Sequence, residues 1–203
     1  MKLIYARGTC AFGIHLLLEE IGKKYETIQV KLHDKNSILE KYNPKNYVPV
    51  LVLDNGEVLT EGIAILGYLA DSNARYDLLP EAGTIERARC VEWLAYLSSE
   101  FHKGFGPLFQ KGKLGEYLKI VTDKLNLRLK YMDDHLSNKK YFVGEDITVV
   151  DMYAIGLFRI AQHLKIDFSP YPNIQRFIQT MEDLPLVKKV TEAENKEQLA
   201  KAA

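Results

Sequence analysis

Cys10 is the residue in this chain best placed to do chemistry. Ahead of it, Lys2-Leu3-Ile4-Tyr5-Ala6 reads as a β-strand. After it, Ala11 to Ile21 repeats apolar residues at helical spacing, and Gly22 can end that helix. The cysteine therefore falls on a helix N-terminus. Backbone N–H groups there lack partners, and the helix dipole gives them partial positive charge. Both favour thiolate over thiol, so the expectation is a depressed pKa and a nucleophile near neutral pH. The alternative is a small, half-buried residue in a tight turn. Position 13 is Gly, so Cys10 opens no C-x-x-C dithiol, and two cysteines build no disulfide framework. Cys90, among Ala88, Val91 and Leu94, reads as a core thiol and as the less reactive of the two.

Val48 precedes Pro49, which holds it extended. Thr60-Glu61-Gly62 opens a helix, and by itself it reads as ordinary helix capping. His102 is followed by Lys103, which could add positive charge. A lone histidine on a helix is more often structural. His15, His33, His135 and His163 have no ligand spacing, and no metal site is assigned.

The elements that must position these residues change character along the chain. Glu26 to Leu32 reads as a second strand and Asp34 to Tyr42 as a short, weak helix. Pro44 and Pro49 bracket a loop. Val50–Leu53 and Val58-Leu59 flank Asn55-Gly56, a strong hairpin signal for antiparallel strands. A helix then runs through Ala70. The order β-α-β-α-β-β-α implies an α/β layer with a pocket at the carboxyl ends of its parallel strands. Ser72 to Gly83 is polar and contains Pro80, and strand signals vanish beyond it. Thr84 caps a helix running towards Gly104–Pro107, and another fits Gly115 to Leu136. Thr148-Val149-Val150-Asp151 has the form of a capping box ahead of Met152–Leu164. Asn173–Met181 and a piece from Pro185 complete an all-α half. The polar tail from Asn195 to Ala203 reads as frayed.

Composition excludes several classes. The 203 residues are 47% apolar and 27% charged, with 27 Lys+Arg against 27 Asp+Glu. Zero net charge argues against nucleic acid and against a polybasic membrane binder. No apolar run approaches the ~18–20 residues of a membrane span. The N-terminus does not read as a signal peptide, so a cytoplasmic protein is expected.

Together these features resemble a cytosolic glutathione transferase. Asn43-Pro44-Lys45-Asn46-Tyr47-Val48-Pro49 is similar to the family's N-P-x-x-x-V-P loop, and Leu59 to Ala70 to its glutathione-binding helix start. Glu92-Trp93-Leu94, Ser99 to Phe105, and Cys10 with His102 resemble the bacterial beta class. The likeness runs from Met1 to about Leu186. It implies a thioredoxin-like glutathione-binding domain over 1–76 and an all-helical domain over 84–203 that supplies the electrophile side. It implies Cys10 and His102 as catalytic. Glutathione would be held by Cys10, Lys35, Val48, a cis Pro49, Glu61, Gly62, Ser99, His102 and Lys103, with Lys35 reaching the glycyl carboxylate. Glutathione is then a co-substrate and small hydrophobic electrophiles are its partners. A homodimer is implied too, for which Ile63, Tyr68, Leu69, Trp93 and Leu97 offer apolar surface. Ala11, Ala95, Arg7 and Asn46 depart from frequent family residues. Two chemistries compete: conjugation by glutathione's own thiol, and thiol–disulfide exchange at Cys10, which a cysteine favours. A non-catalytic binding protein on the same fold is the alternative. A third reading is a cleft for hydrophobic compounds, which Phe101, Phe105, Leu108 and Phe109 either line or simply pack beside.

Overall fold

The structure, a computed structural model, describes residues 1–32, 34 and 38–202, with side chains through Glu197. Strand β1 (Lys2–Tyr5) lies inside a four-stranded sheet of order β2-β1-β3-β4. It pairs parallel with β2 (Glu26–Gln29) and antiparallel with β3 (Val50–Val52); β4 (Val58–Thr60) closes the hairpin at the edge. Alternation along β1 divides the core. Leu3 and Tyr5 join Leu51 beneath the large core, while Ile4 and Val50 pack with Leu39 of α2 (Leu39–Tyr42) on the other face.

Helix α1 (Ala11–Ile21) is buried from Ala11 through Leu18, because other helices cover it on several sides. α3 (Gly62–Ser72) and α8 (Pro185–Ala202) flank it, and α6 (Val149–His163) makes the most extensive contact. Gly13 allows that contact: a Cβ there would lie 2.7 Å from the Met152 carbonyl oxygen. Gly22 ends α1 in the left-handed region at φ 73°.

The helical half begins at Thr84, whose Oγ1 accepts from the Arg87 N–H at 3.2 Å ahead of α4 (Ile85–Tyr96). α4 runs into a π-helix, Leu97–His102, and then a 3-10 helix, Gly106–Lys113. α5 (Tyr117–His135) and α7 (Pro172–Glu182) pack beside α6. The Thr148–Asp151 capping box forms. Asp151 accepts from the Thr148 N–H at 2.8 Å and the Phe142 N–H at 2.8 Å. Complete burial pushes its carboxyl up to about 6, against those bonds.

Three sequence expectations are corrected. β2 ends at Gln29 rather than Leu32, since its partner β1 ends at Tyr5. The tail does not fray at Asn195, because α8 continues to Ala202 and two of its carboxylates receive buried donors. Glu194 Oε1 lies 3.0 Å from His15 Nδ1. Glu197 accepts from Tyr5 Oη at 2.8 Å, Thr27 Oγ1 at 3.0 Å and the Gln29 N–H at 3.1 Å. Third, Leu69, Trp93 and Leu97 are core within one chain, while Tyr68 stays 41% exposed. Phe101 and Phe105 are likewise core, and Phe109 is exposed. The expected helix from Asp34 falls partly outside the described residues. No helix among the described residues is long and apolar enough to cross a membrane.

Candidate active site

Cys10 is the N-cap of α1, as the sequence implies, but its surroundings differ from the expectation. Thr9 Oγ1 accepts from the Ala11 N–H at 3.3 Å, and the Gly13 N–H donates to the Cys10 carbonyl at 3.3 Å. Part of the first turn is therefore already paired. The thiol is buried, and burial pushes it up to about 12, with the Glu61 carboxylate adding to the rise; a bond from its own backbone N–H opposes it. Desolvation outweighs the helix terminus, so the expected depressed pKa is not found. Burial raises Cys90 as well, to about 11.

The loop before β3 is built from inside. Asn43 is buried; its Nδ2 donates to the Tyr47 carbonyl at 2.8 Å and its Oδ1 accepts from the Lys45 N–H at 3.1 Å. The loop then delivers the Val48–Pro49 peptide in cis. Glu61, at φ 68°, turns the chain from β4 into α3. Its exposed carboxylate is paired with Lys45 Nζ, which also donates to Thr60 Oγ1 at 3.1 Å.

Tyr153 on α6 ties these pieces together, and the sequence reading missed it. A Cβ on Gly62 would lie 3.4 Å from its ring, 3.6 Å from Ile14 and 3.9 Å from Pro49. Its hydroxyl is 3.2 Å from His102 Nδ1. Burial raises its pKa, and charges at Cys10 and Glu61 act the same way, while a hydrogen bond from the Ser98 side chain lowers it. Gly62 thus sits among Tyr153, Ile14 of α1 and Pro49, and Tyr153 reaches on to His102. The signal was present: a phenol inside the apolar run of α6 needs a polar partner.

His102 closes the π-helix. Burial, then the charge of Lys103, pushes its ring down to about 4, so it is neutral and brings no positive charge to the sulfur. Lys103 is exposed. Ser99 is exposed too. Lys35 lies outside the described residues.

A thiol at a helix N-terminus, a cis-proline loop beside it and a helical second half are the parts of a glutathione transferase. Residues 1–71 match the family model for the glutathione S-transferase N-terminal domain, and residues 96–185 the model for its C-terminal domain. The chain belongs to this family. It is 37% identical over 200 residues to glutathione S-transferase GstA of Escherichia coli O157:H7, covering 96% of this chain and 98% of that protein. Among solved structures it is similar to the ternary complex of BphK, a bacterial glutathione transferase (TM-score 0.91, 36% identity, 96% of this chain and 100% of that one). It is also similar to a bacterial beta class glutathione S-transferase from Sphingomonas chungbukensis (TM-score 0.88, 34% identity, 96% and 98% covered). Within the family the chain sides with the beta class.

Proposed function

We propose that this chain conjugates glutathione to small hydrophobic electrophiles, with Cys10 and His102 beside the reacting sulfur. The observation that carries the reading is the placement of Gly62 among Pro49, Ile14 of α1 and Tyr153, with Tyr153 bonded to His102. A related sphingomonad transferase was solved complexed with glutathione. In this reading the Val48 backbone pairs with the cysteinyl part of the ligand, as an added strand would. Gly62 opens α3 towards the γ-glutamyl carboxylate, and Glu61 takes the ammonium group. Lys35 is assigned to the glycyl carboxylate, and Ser99 and Lys103 to the opposite wall.

The raised Cys10 thiol favours one role. Protonated near neutral pH, it is a hydrogen-bond donor to a second sulfur and a poor attacker. Glutathione loses its thiol proton to solvent, and Cys10 S–H and His102 stabilise the thiolate. The thiolate attacks an electrophilic carbon, the new C–S bond forms, and the leaving group departs with its electron pair. Thiol–disulfide exchange is the second reading, favoured by the presence of a cysteine at this position. There Cys10 thiolate attacks a glutathione disulfide, forms a mixed disulfide and expels the other thiolate.

Calorimetric titration with reduced glutathione, followed by a conjugation assay with an activated aryl chloride, tests the reading. Binding and turnover are expected. Absence of binding at millimolar glutathione overturns it. Intact mass with and without reductant separates the two chemistries, since a glutathione adduct lost on reduction marks exchange.

We further propose a cytoplasmic homodimer. With Leu69, Trp93 and Leu97 committed to the core, exposed apolar residues that could meet a partner include Tyr68 on α3, Val91 on α4, and Leu127 and Tyr131 on α5. Tyr131 stacks on Trp93 at 5.5 Å, which makes α4 and α5 one face. Light scattering is expected to give twice the 23.2 kDa chain mass; the mass of one chain overturns the dimer.

A further inference from the structure

The π-helix Leu97–His102 ends on His102, whose Nδ1 lies 3.2 Å from the Tyr153 hydroxyl of α6. Such wide turns are uncommon and recur at functional sites. This one is pinned on its inner side by Leu97 and Phe101, both fully buried. Tyr153 is pinned too, being 2% exposed and two residues after the capping-box Asp151. The two polar groups are therefore held in place, and the direction of their hydrogen bond decides what the ring can do.

The Tyr153 hydroxyl has one proton to give, and the strengths of donor and acceptor set where it goes. A phenol is a good donor, and an imidazole nitrogen is a better acceptor than a phenol oxygen. The Tyr153 O–H therefore donates to His102 Nδ1. A neutral ring that accepts at Nδ1 carries its proton on Nε2. Nε2 has no protein partner among the described residues.

We propose that Tyr153 donates to His102 Nδ1 and so locks the ring in the Nε2–H tautomer, making it a hydrogen-bond donor to sulfur rather than a proton acceptor. The inference rests on the reading of His102 as a wall of the glutathione site. Tyr153 is a positioning residue in it, acting only through the histidine.

The test reads the tautomer directly. In protein labelled with 15N-histidine at pH 7.5, His102, assigned by its loss in His102→Gln, is expected to show a protonated Nε2 and an unprotonated Nδ1. Tyr153→Phe keeps the ring that packs on Gly62 and removes the donor, so the tautomers are expected to mix. Conjugation kcat falls about tenfold, the scale of one hydrogen bond, and KM for glutathione stays within twofold. His102→Gln, which keeps an N–H near the Nε2 position, retains more activity than His102→Ala. A wild-type Nδ1–H tautomer, or an unchanged tautomer in Tyr153→Phe, overturns the lock. Equal losses in the two His102 variants overturn the donor role. Because the spectrum is recorded without glutathione, failure of the transferase reading would leave the tautomer result standing and is told apart from it.

Discussion

α1 meets the helical half twice, and the two contacts differ in kind. At its N-terminal end it meets α6 backbone to backbone through Gly13, and the polar groups there, Cys10 and His102, keep unused hydrogen-bonding capacity. One turn further on, His15 meets Glu194 of α8, with side chains 4% and 6% exposed, and Tyr5 and Thr27 are spent on Glu197. In our reading one contact is open to glutathione; the other is closed and paired. The same helix is thus fixed at its middle by a carboxylate from α8, while its tip carries the proposed chemistry.

Breaking the closed contact should have the largest effect. Glu194→Ala leaves a buried imidazole without its partner 179 residues away. A loss of about 3–4 kcal/mol is expected, the scale for stranding one member of a buried pair. Urea denaturation measures it, and glutathione turnover at low temperature is expected to survive. A loss under 1 kcal/mol would mean that water replaces the carboxylate.

Gly13→Ala tests the open contact. The new methyl meets main-chain atoms of α6, which cannot rotate away, so α1 and α6 must separate. The expected cost is about 2–3 kcal/mol, partly offset by the better helix propensity of alanine. Unlike Glu194→Ala, this change moves Tyr153 with α6, so kcat should fall at temperatures where the protein stays folded. Unchanged kcat would separate the α1–α6 spacing from the chemistry.

Local pattern made much of this molecule legible before any fold was known. Gly22 ends α1 at the expected residue, Asn55-Gly56 turns the β3–β4 hairpin, and Thr148 with Asp151 caps α6. Each is a short-range device whose chemistry lies within a few residues. The cis Val48–Pro49 bond followed from resemblance alone, since proline has only a small intrinsic cis population. What stayed hidden depends on distant partners. Glu194 and Glu197 look like solvent-facing tail residues until His15 and Tyr5 are brought to them. Tyr153 looks like core until His102 arrives at its hydroxyl. The Cys10 pKa was misjudged for the same reason: the helix terminus is local, whereas the burial that outweighs it comes from tertiary packing.

The sulfur itself gives a pH-dependent prediction. A folded-state pKa raised to about 12 keeps Cys10 protonated near neutrality. Its alkylation by iodoacetamide should rise about tenfold per pH unit from 6 to 9 without a plateau. The linkage has the matching sign. The raised value contributes stability that is present below the ordinary thiol pKa and lost as pH climbs towards the folded value. A labelling plateau near pH 7 would show that the ligand-free thiol is ionised and that the helix terminus wins after all.

The smallest expected effect lies at the rim of the open contact, between Lys45 and Glu61. Glu61 is 69% exposed and already holds a lysine ammonium, so the γ-glutamyl ammonium of glutathione must exchange one cation for another. Such an exchange gains little, because exposed pairs are worth about 0.2–1 kcal/mol. Glu61→Ala should therefore weaken glutathione by only about two- to fivefold, well short of stranding a buried charge. Lys45→Met removes the competitor and should tighten glutathione about two- to threefold at low salt, with the gain fading as ionic strength rises. Calorimetry at two salt concentrations measures both. If Lys45→Met weakens binding instead, the lysine does not compete with the ligand but stays beside it, and its charge is then used on the γ-glutamyl carboxylate.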